Sequence, residues 1–314
     1  MKILVTGACG YKGSVLVPKL LAKGWEVIAL DIMWFGNYLP EHPSLTIIKG
    51  DVNETDSVPM DGIHTIIHLS SIANDPCGDL NPKLTWETSC LATMRLADKA
   101  KRSNVKQFIY ASSGSVYGVK TEDKVTEDLE LVPISEYNKT KMVAERALMS
   151  YEKSFSVQIV RPATVCGLSP RMRFDVSVNM LTMQAITKGE IRVLGGNQTR
   201  PNIHIDDISD LYIYLVNNPK LTGVFNAGFE NLTIMDIAEM VAQKTNAKIK
   251  VEPTNDLRSY RVDSAKILEV GFQPKKTVVD AIDEIIAAYR EGRVADKEEY
   301  YNLRWMQKHQ LGRV

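Results

Sequence analysis

The chain has 314 residues, enough for a large core in one elaborated domain or two, and its 44% hydrophobic and 24% charged content is that of an ordinary globular protein. Lysine plus arginine and aspartate plus glutamate number 38 each, so neither net charge nor a long basic run supports nucleic-acid binding. No apolar run reaches the roughly 18 residues of a membrane span, and Cys9, Cys77, Cys90 and Cys166 lack metal-ligand spacing; with no signal segment before the first strand, a reducing, cytoplasmic setting is predicted.

Strands are predicted at 2–7, 26–31, 45–52, 64–71, 107–113 and 157–165, with helical stretches at 14–23, 82–102 and 137–153. This alternation predicts βαβ units and a parallel sheet covered on both faces. After 165 the order is less regular. A helix over 174–188 precedes "IRVLGG" and "NIHIDDISDLYIYLVNN", then a helix capped by Thr233 and a last one near 278–291. The expected architecture is a Rossmann-type doubly wound parallel sheet over 1–165, to which the chain returns near 200–226. A smaller mixed α/β substrate-binding part is formed by 166–199 and 227–314.

The first loop, "TGACGYKG", spaces Gly7, Gly10 and Gly13 three apart between a strand and a helix. Glycines there permit a tight turn and close approach of a pyrophosphate, whose charge the helix N-terminus stabilises. Tyr11 and Lys12 lie in the same loop. Asp31 follows Gly13 by 18 residues, at the end of the second strand. A carboxylate there accepts hydrogen bonds from ribose hydroxyls and repels a 2′-phosphate, which predicts NAD over NADP, although Lys12 could reach a 2′-phosphate.

In "ISEYNKTK" Tyr137 and Lys141 are four apart, on one face of a helix. That spacing alone also describes a solvated helix face. Together with "TGACGYKG", Asp31, "GDV" (50–52), "HLSS" (68–71), "YASSGSVYG" (110–118), "RPATVCG" (161–167), "RPNIHIDDISD" (200–210) and "VDSAKILEVGFQP" (262–274), the chain resembles the extended short-chain dehydrogenase/reductase family, the nucleotide-sugar epimerases and dehydratases.

The resemblance implies Tyr137 as acid/base, Lys141 as its partner and Ser113 as the hydroxyl that polarises the reacting oxygen. A free tyrosine titrates near pH 10, and a neighbouring cation favours its phenolate. The matching segments also imply cofactor contacts from Ile32, Asp51, Val52, Leu69, Ser70, Ser71 and Pro162. Where 4,6-dehydratases carry Asp-Glu after the catalytic hydroxyl, this chain has Gly114 and Ser115, which disfavours dehydration. It also lacks the Cys and His of the 3,5-epimerase/4-reductases. The remaining expectation is redox chemistry at C4 of a nucleotide-diphosphate sugar, as a 4-epimerase or 4-dehydrogenase, with a 4-ketoreductase, a dehydratase or a non-catalytic NAD-binding sensor as the alternatives.

Substrate contacts are expected from Ser115, Thr164, Arg171, Arg173, Asn179, Arg200 and Arg258, the arginines suiting a diphosphate. Thr164 and Ser89 stand where many relatives have Asn. His68 and His204, within strand runs, read as structural, and Trp34 as a residue able to cover adenine. Apolar stripes including Leu91, Met94 and Met142 predict a homodimer through two paired helices.

Overall fold

The structure, a computed structural model, describes residues 1–254 and 259–312. The first half runs β1 (Lys2–Thr6), α1 (Gly13–Ala22), β2 (Glu26–Asp31), β3 (Leu45–Lys49), β4 (Thr65–His68), α2 (Asp75–Leu80), α3 (Pro82–Trp86), α4 (Ala92–Arg102), β5 (Gln107–Ala111), α5 (Glu136–Met149) and β6 (Ser156–Pro162). The second half runs β7 (Thr164–Cys166), α6 (Ser177–Lys188), β8 (Glu190–Leu194), β9 (Thr199–His204), α7 (Ile205–Asn217), β10 (Gly223–Ala227) and β11 (Glu230–Thr233). It closes with α8 (Ile234–Thr245), β12 (Lys248–Glu252), α9 (Ala265–Glu269), α10 (Val278–Arg290) and α11 (Asn302–Lys308).

Seven strands form a parallel sheet in the order β10-β6-β5-β4-β1-β2-β3. Alternate residues of β1 face opposite sides. Ile3 and Val5 pack under Leu16 and Leu20 of α1 and Leu211 of α7, whereas Leu4 packs under Leu96 of α4 and Leu148 of α5. Both faces are therefore covered, which is why the strands are continuous apolar runs. The strand order reverses between β1 and β4, and such a switch point opens a crevice at the carboxyl ends of the strands.

The smaller part joins β11, β9 and β7 in one sheet and β12 with β8 in another, around a core that includes Val178, Leu181, Ile237, Val241 and Ile282. Several sequence expectations are redrawn here. The run 157–165 is two strands: β6 stops at Pro162, which has no N–H to extend the ladder, and β7 crosses to pair with β9. The helix expected over 82–102 contains a π-turn at Glu87–Leu91 between α3 and α4. Helix α2 has no counterpart in the sequence reading, since six residues containing a proline and a glycine carry almost no period. "NIHIDDISDLYIYLVNN" divides at His204, whose Nδ1 accepts from Asp206 N at 3.1 Å and caps α7. The strand runs also end early, at Thr6, Lys49, His68 and Ala111, because the motif residues beyond those points turn out of the sheet and line the crevice.

Candidate active site

The crevice is a cleft of about 840 Å³. At one end lies the loop from β1 to α1. Gly7 has φ +69°, and a Cβ there would stand 2.7 Å from Ser70 N, while one on Gly13 would stand 2.3 Å from Ala8 O. The glycines thus permit a backbone approach that no side chain allows. Asp31 ends β2 with its carboxylate oriented by two amides: Cys9 N donates to Oδ2 at 2.9 Å and Met33 N to Oδ1 at 2.7 Å. Burial pushes its pKa up, against the opposing pull of those amides and of Arg171. A cradle that a Cβ would fill, at the start of α1, and a carboxylate held at the end of the neighbouring strand fit a dinucleotide. Gly10, Tyr11, Lys12, Ile32, Asp51, Val52, Leu69, Ser70, Ser71 and Pro162 line the same cleft. Trp34 also lines it, anchored where Trp305 Nε1 donates to its carbonyl at 2.8 Å.

Ser113, Tyr137 and Lys141 line the same cleft. Ser135 caps α5 by accepting from Asn138 N at 3.2 Å, which starts the helix at Glu136, one residue before Tyr137. Ser113 follows β5 at the entrance of a short 3₁₀ turn, and its hydroxyl acts on Tyr137 in the sense that favours the phenolate. Its Oγ is 2.6 Å from Ser115 Oγ, which donates in turn to Asn138 Oδ1. Lys141 is 2% exposed, and its Nζ donates to Ala111 O at 2.8 Å, 5.8 Å from the centre of the Tyr137 ring. The ammonium is thus directed at a carbonyl and stands beside the Tyr137 ring. Burial pushes Tyr137 up to about 12, opposed by the Ser113 hydrogen bond and reinforced by Asp75. Burial and the charge of Lys12 push Lys141 down to about 7.

Arg173, Arg200, Thr164 and Ser115 line the cleft as well. Arg173 pairs with Asp175 at 2.9 Å. Arg171 is nearly enclosed: Nη1 donates to Met172 O, Nη2 to Asn302 Oδ1, its Cζ lies 4.3 Å from the centre of the Phe35 ring, and Nε has no hydrogen-bond partner. Its charge reaches Asp31, so it stands toward the dinucleotide end as well. Asn179 departs from expectation. It is fully buried behind the wall, accepting from Gly167 N at 3.0 Å and donating to Tyr11 Oη at 3.0 Å and Arg173 O at 2.9 Å. With both ends of its amide engaged, it braces the loops instead of facing the cleft. Arg258 lies outside the described residues.

Sequence reasoning missed Asp75, Asn138, Asp175 and Asn302, all on the cleft wall. The dipeptides before Pro76 and Pro82 are capping signals that could have revealed α2 and α3, where Asn74 and Asn81 accept from Cys77 N and Leu84 N at 3.0 Å. Nothing local marks Asn302. His68 bridges Thr6 Oγ1 at 2.6 Å and Thr93 Oγ1 at 2.9 Å in the core, and burial holds its pKa down to about 3.

A profile of the NAD dependent epimerase/dehydratase family matches residues 3–228. UDP-glucuronic acid decarboxylase 1 of Arabidopsis thaliana is 28% identical over 318 residues, covering 95% of this chain and 72% of that protein. UDP-glucose 4-epimerase of Mycolicibacterium smegmatis is 28% identical over 310 residues, covering 92% and 99%. Among solved structures, MoeE5 in complex with UDP-glucuronic acid and NAD matches with a TM-score of 0.81 at 26% identity, covering 93% of this chain and 100% of that one.

Proposed function

The chain belongs to the NAD dependent epimerase/dehydratase family, and on that premise we propose that it oxidises and reduces C4 of a nucleotide-diphosphate sugar, as a 4-epimerase or 4-dehydrogenase. The observation that carries this reading is that Ser113, Tyr137 and Lys141 line the same cleft as the glycine loop, with Ser113 followed in sequence by Gly114 and Ser115 instead of two carboxyls. NAD, when bound, takes up the hydride from the oxidised carbon and can return it. The residues that would hold it are the Gly7–Gly13 loop, Asp31 and Ile32, Asp51 and Val52, Leu69 to Ser71, Pro162, and Lys141 with Tyr137.

As the phenolate, Tyr137 takes the proton of the sugar hydroxyl and, as the phenol so formed, gives it back on reduction. Ser113 fixes the position of that hydroxyl. Lys141, pinned to Ala111 O, brings a cation into a dry site, where the interaction with nearby charge is strong. Arg173 and Arg200 suit the diphosphate, with Thr164 and Ser115 nearer the sugar.

One observation favours a second reading, dehydration. Asp75 at the start of α2 lines the same cleft, accepts from Ser135 Oγ at 2.6 Å and acts electrostatically on Tyr137, so a carboxylate faces the phenol from another element. Incubation with UDP-glucose, UDP-galactose and UDP-glucuronic acid, followed by NADH absorbance and product NMR, separates the readings. Inversion at C4 marks an epimerase, a released ketosugar a dehydrogenase, and a 6-deoxy ketosugar a dehydratase. If nucleoside diphosphates gave no thermal shift and no nucleotide sugar turned over, the reading would fall.

We also propose a homodimer and a cytoplasmic location. Leu91 and Met94 are each 40% exposed beside one another on the outer face of the helical stretch that ends in α4. All four cysteines are free and buried, as suits a reducing compartment. Among the described residues, no helix is long and apolar enough to cross a membrane.

A further inference from the structure

The hydroxyls around Tyr137 form a chain whose direction can be counted. An amide oxygen only accepts, and a serine hydroxyl has one proton to give. Ser115 Oγ donates to Asn138 Oδ1, so its proton is committed there. At the 2.6 Å contact between Ser113 Oγ and Ser115 Oγ, the donor is therefore Ser113. Ser113 Oγ also accepts from Ser115 N at 3.2 Å, and its hydroxyl acts on Tyr137 in the sense that favours the phenolate. Both hydroxyl hydrogens of the chain point toward Asn138.

We propose that Asn138, acting through Ser115, is a positioning residue that sets the direction in which Ser113 donates, keeping its proton turned toward Ser115 until the reacting oxygen arrives. Ser113 can donate to that oxygen, or to a phenolate at Tyr137, only by rotating its proton away from Ser115. No proton changes owner in this rotation; one hydroxyl hydrogen bond is exchanged for another. The anchor is firm, since Asn138 is 3% exposed and lies in the first turn of α5, where Ser135 holds its backbone N–H. The role of the oxygen rests on the function proposed above, whereas the direction of the chain does not.

The test titrates the Tyr137 phenol in the NAD-bound protein, as tyrosinate absorbance of each variant minus that of the same variant carrying Tyr137→Phe. The groups that face this phenol are Asp75 from α2, Lys141 from α5, Tyr110 from β5, Tyr212 from α7, Arg173 and Tyr260. None is altered by the substitutions. Ser115→Ala and Asn138→Leu each free the Ser113 proton for the phenolate and are expected to move the titration down by roughly 0.7 pH unit, the worth of one neutral hydrogen bond. The double variant moves no further than Ser115→Ala alone, since without Ser115 the residue at 138 has no path to Ser113. Asn138→Asp keeps an acceptor toward Ser115 and gives no downward shift, and it decides the matter with Ser115→Ala should Asn138→Leu not fold. Unchanged titrations in Ser115→Ala and Asn138→Leu, or shifts that add in the double variant, would overturn the proposal. If nucleotide sugars are not the substrates, NADH formation fails in the wild type and all variants alike while the titration still reads the chain.

Discussion

Arg161 grips Glu145 in the dry space behind the catalytic helix, with Nε 3.1 Å from Oε1 and Nη2 2.7 Å from Oε2. Glu145 lies one turn beyond Lys141 and also accepts from Ser112 Oγ, next to Ser113, so the pair ties α5 to the end of β5. Both side chains are about nineteen-twentieths buried. Arg161→Met would leave a carboxylate without its counter-charge and is expected to cost about 3–5 kcal/mol in urea unfolding. Replacing both partners, as Arg161→Met with Glu145→Leu, should recover most of that loss. Equal destabilisation in the single and double variants would show that the lost charge pairing is not the cause.

Tyr137→Phe keeps the ring and its packing and removes the hydroxyl. Turnover should fall roughly 10²–10⁴-fold with NAD affinity retained. Lys141→Ala should weaken NAD binding as well as turnover, and Ser113→Ala should slow the reaction less than Tyr137→Phe. Calorimetric NAD binding beside steady-state rates checks that order, and near-wild-type turnover in Tyr137→Phe would return the helix face to a structural role.

Asp31 is oriented by Cys9 N and Met33 N. Asp31→Ala should weaken NAD and narrow the preference for NAD over NADP, read as the ratio of the two dissociation constants. Tighter binding of NADP by the wild type would show that Lys12 outweighs Asp31.

His68 makes stability depend on acid. Its pKa falls from 6.5 to about 3 in the folded state. On acidification the unfolded chain takes the proton first, so between those values it binds more protons than the native state. This group's stabilisation is full above 6.5 and is lost toward pH 3, at about 1.4 kcal/mol per pH unit. His68→Gln, which cannot titrate, should flatten stability against pH in that window. Parallel curves for the two proteins would locate the acid sensitivity elsewhere.

The exposed pair Leu91 and Met94 should lie in the dimer contact. Light scattering at micromolar concentration is expected to give twice the chain mass for the wild type and a single chain for Leu91→Glu with Met94→Glu. A wild-type monomer would remove the claim.

The alternation of strand and helix, the glycine loop before α1, the acidic end of β2 and the four-residue step from Tyr137 to Lys141 are all local patterns. Period, turn chemistry and helix geometry act over a few residues, so these features and the parallel sheet were legible from the sequence alone. Tertiary structure decided which way polar side chains turn. Asn179 and Arg173 both come from the stretch before and within α6, yet the amide of one braces Gly167 and Tyr11 while the other borders the cleft. Arg171 is held by Asn302, 131 residues away, and Ser115 by Asn138, 23 residues away on another element. The crossing of the chain after Pro162 likewise required β9 to be in place beside β7. A buried polar group must find its partner wherever the fold supplies one. No local pattern encodes a partner that only the packed chain brings near.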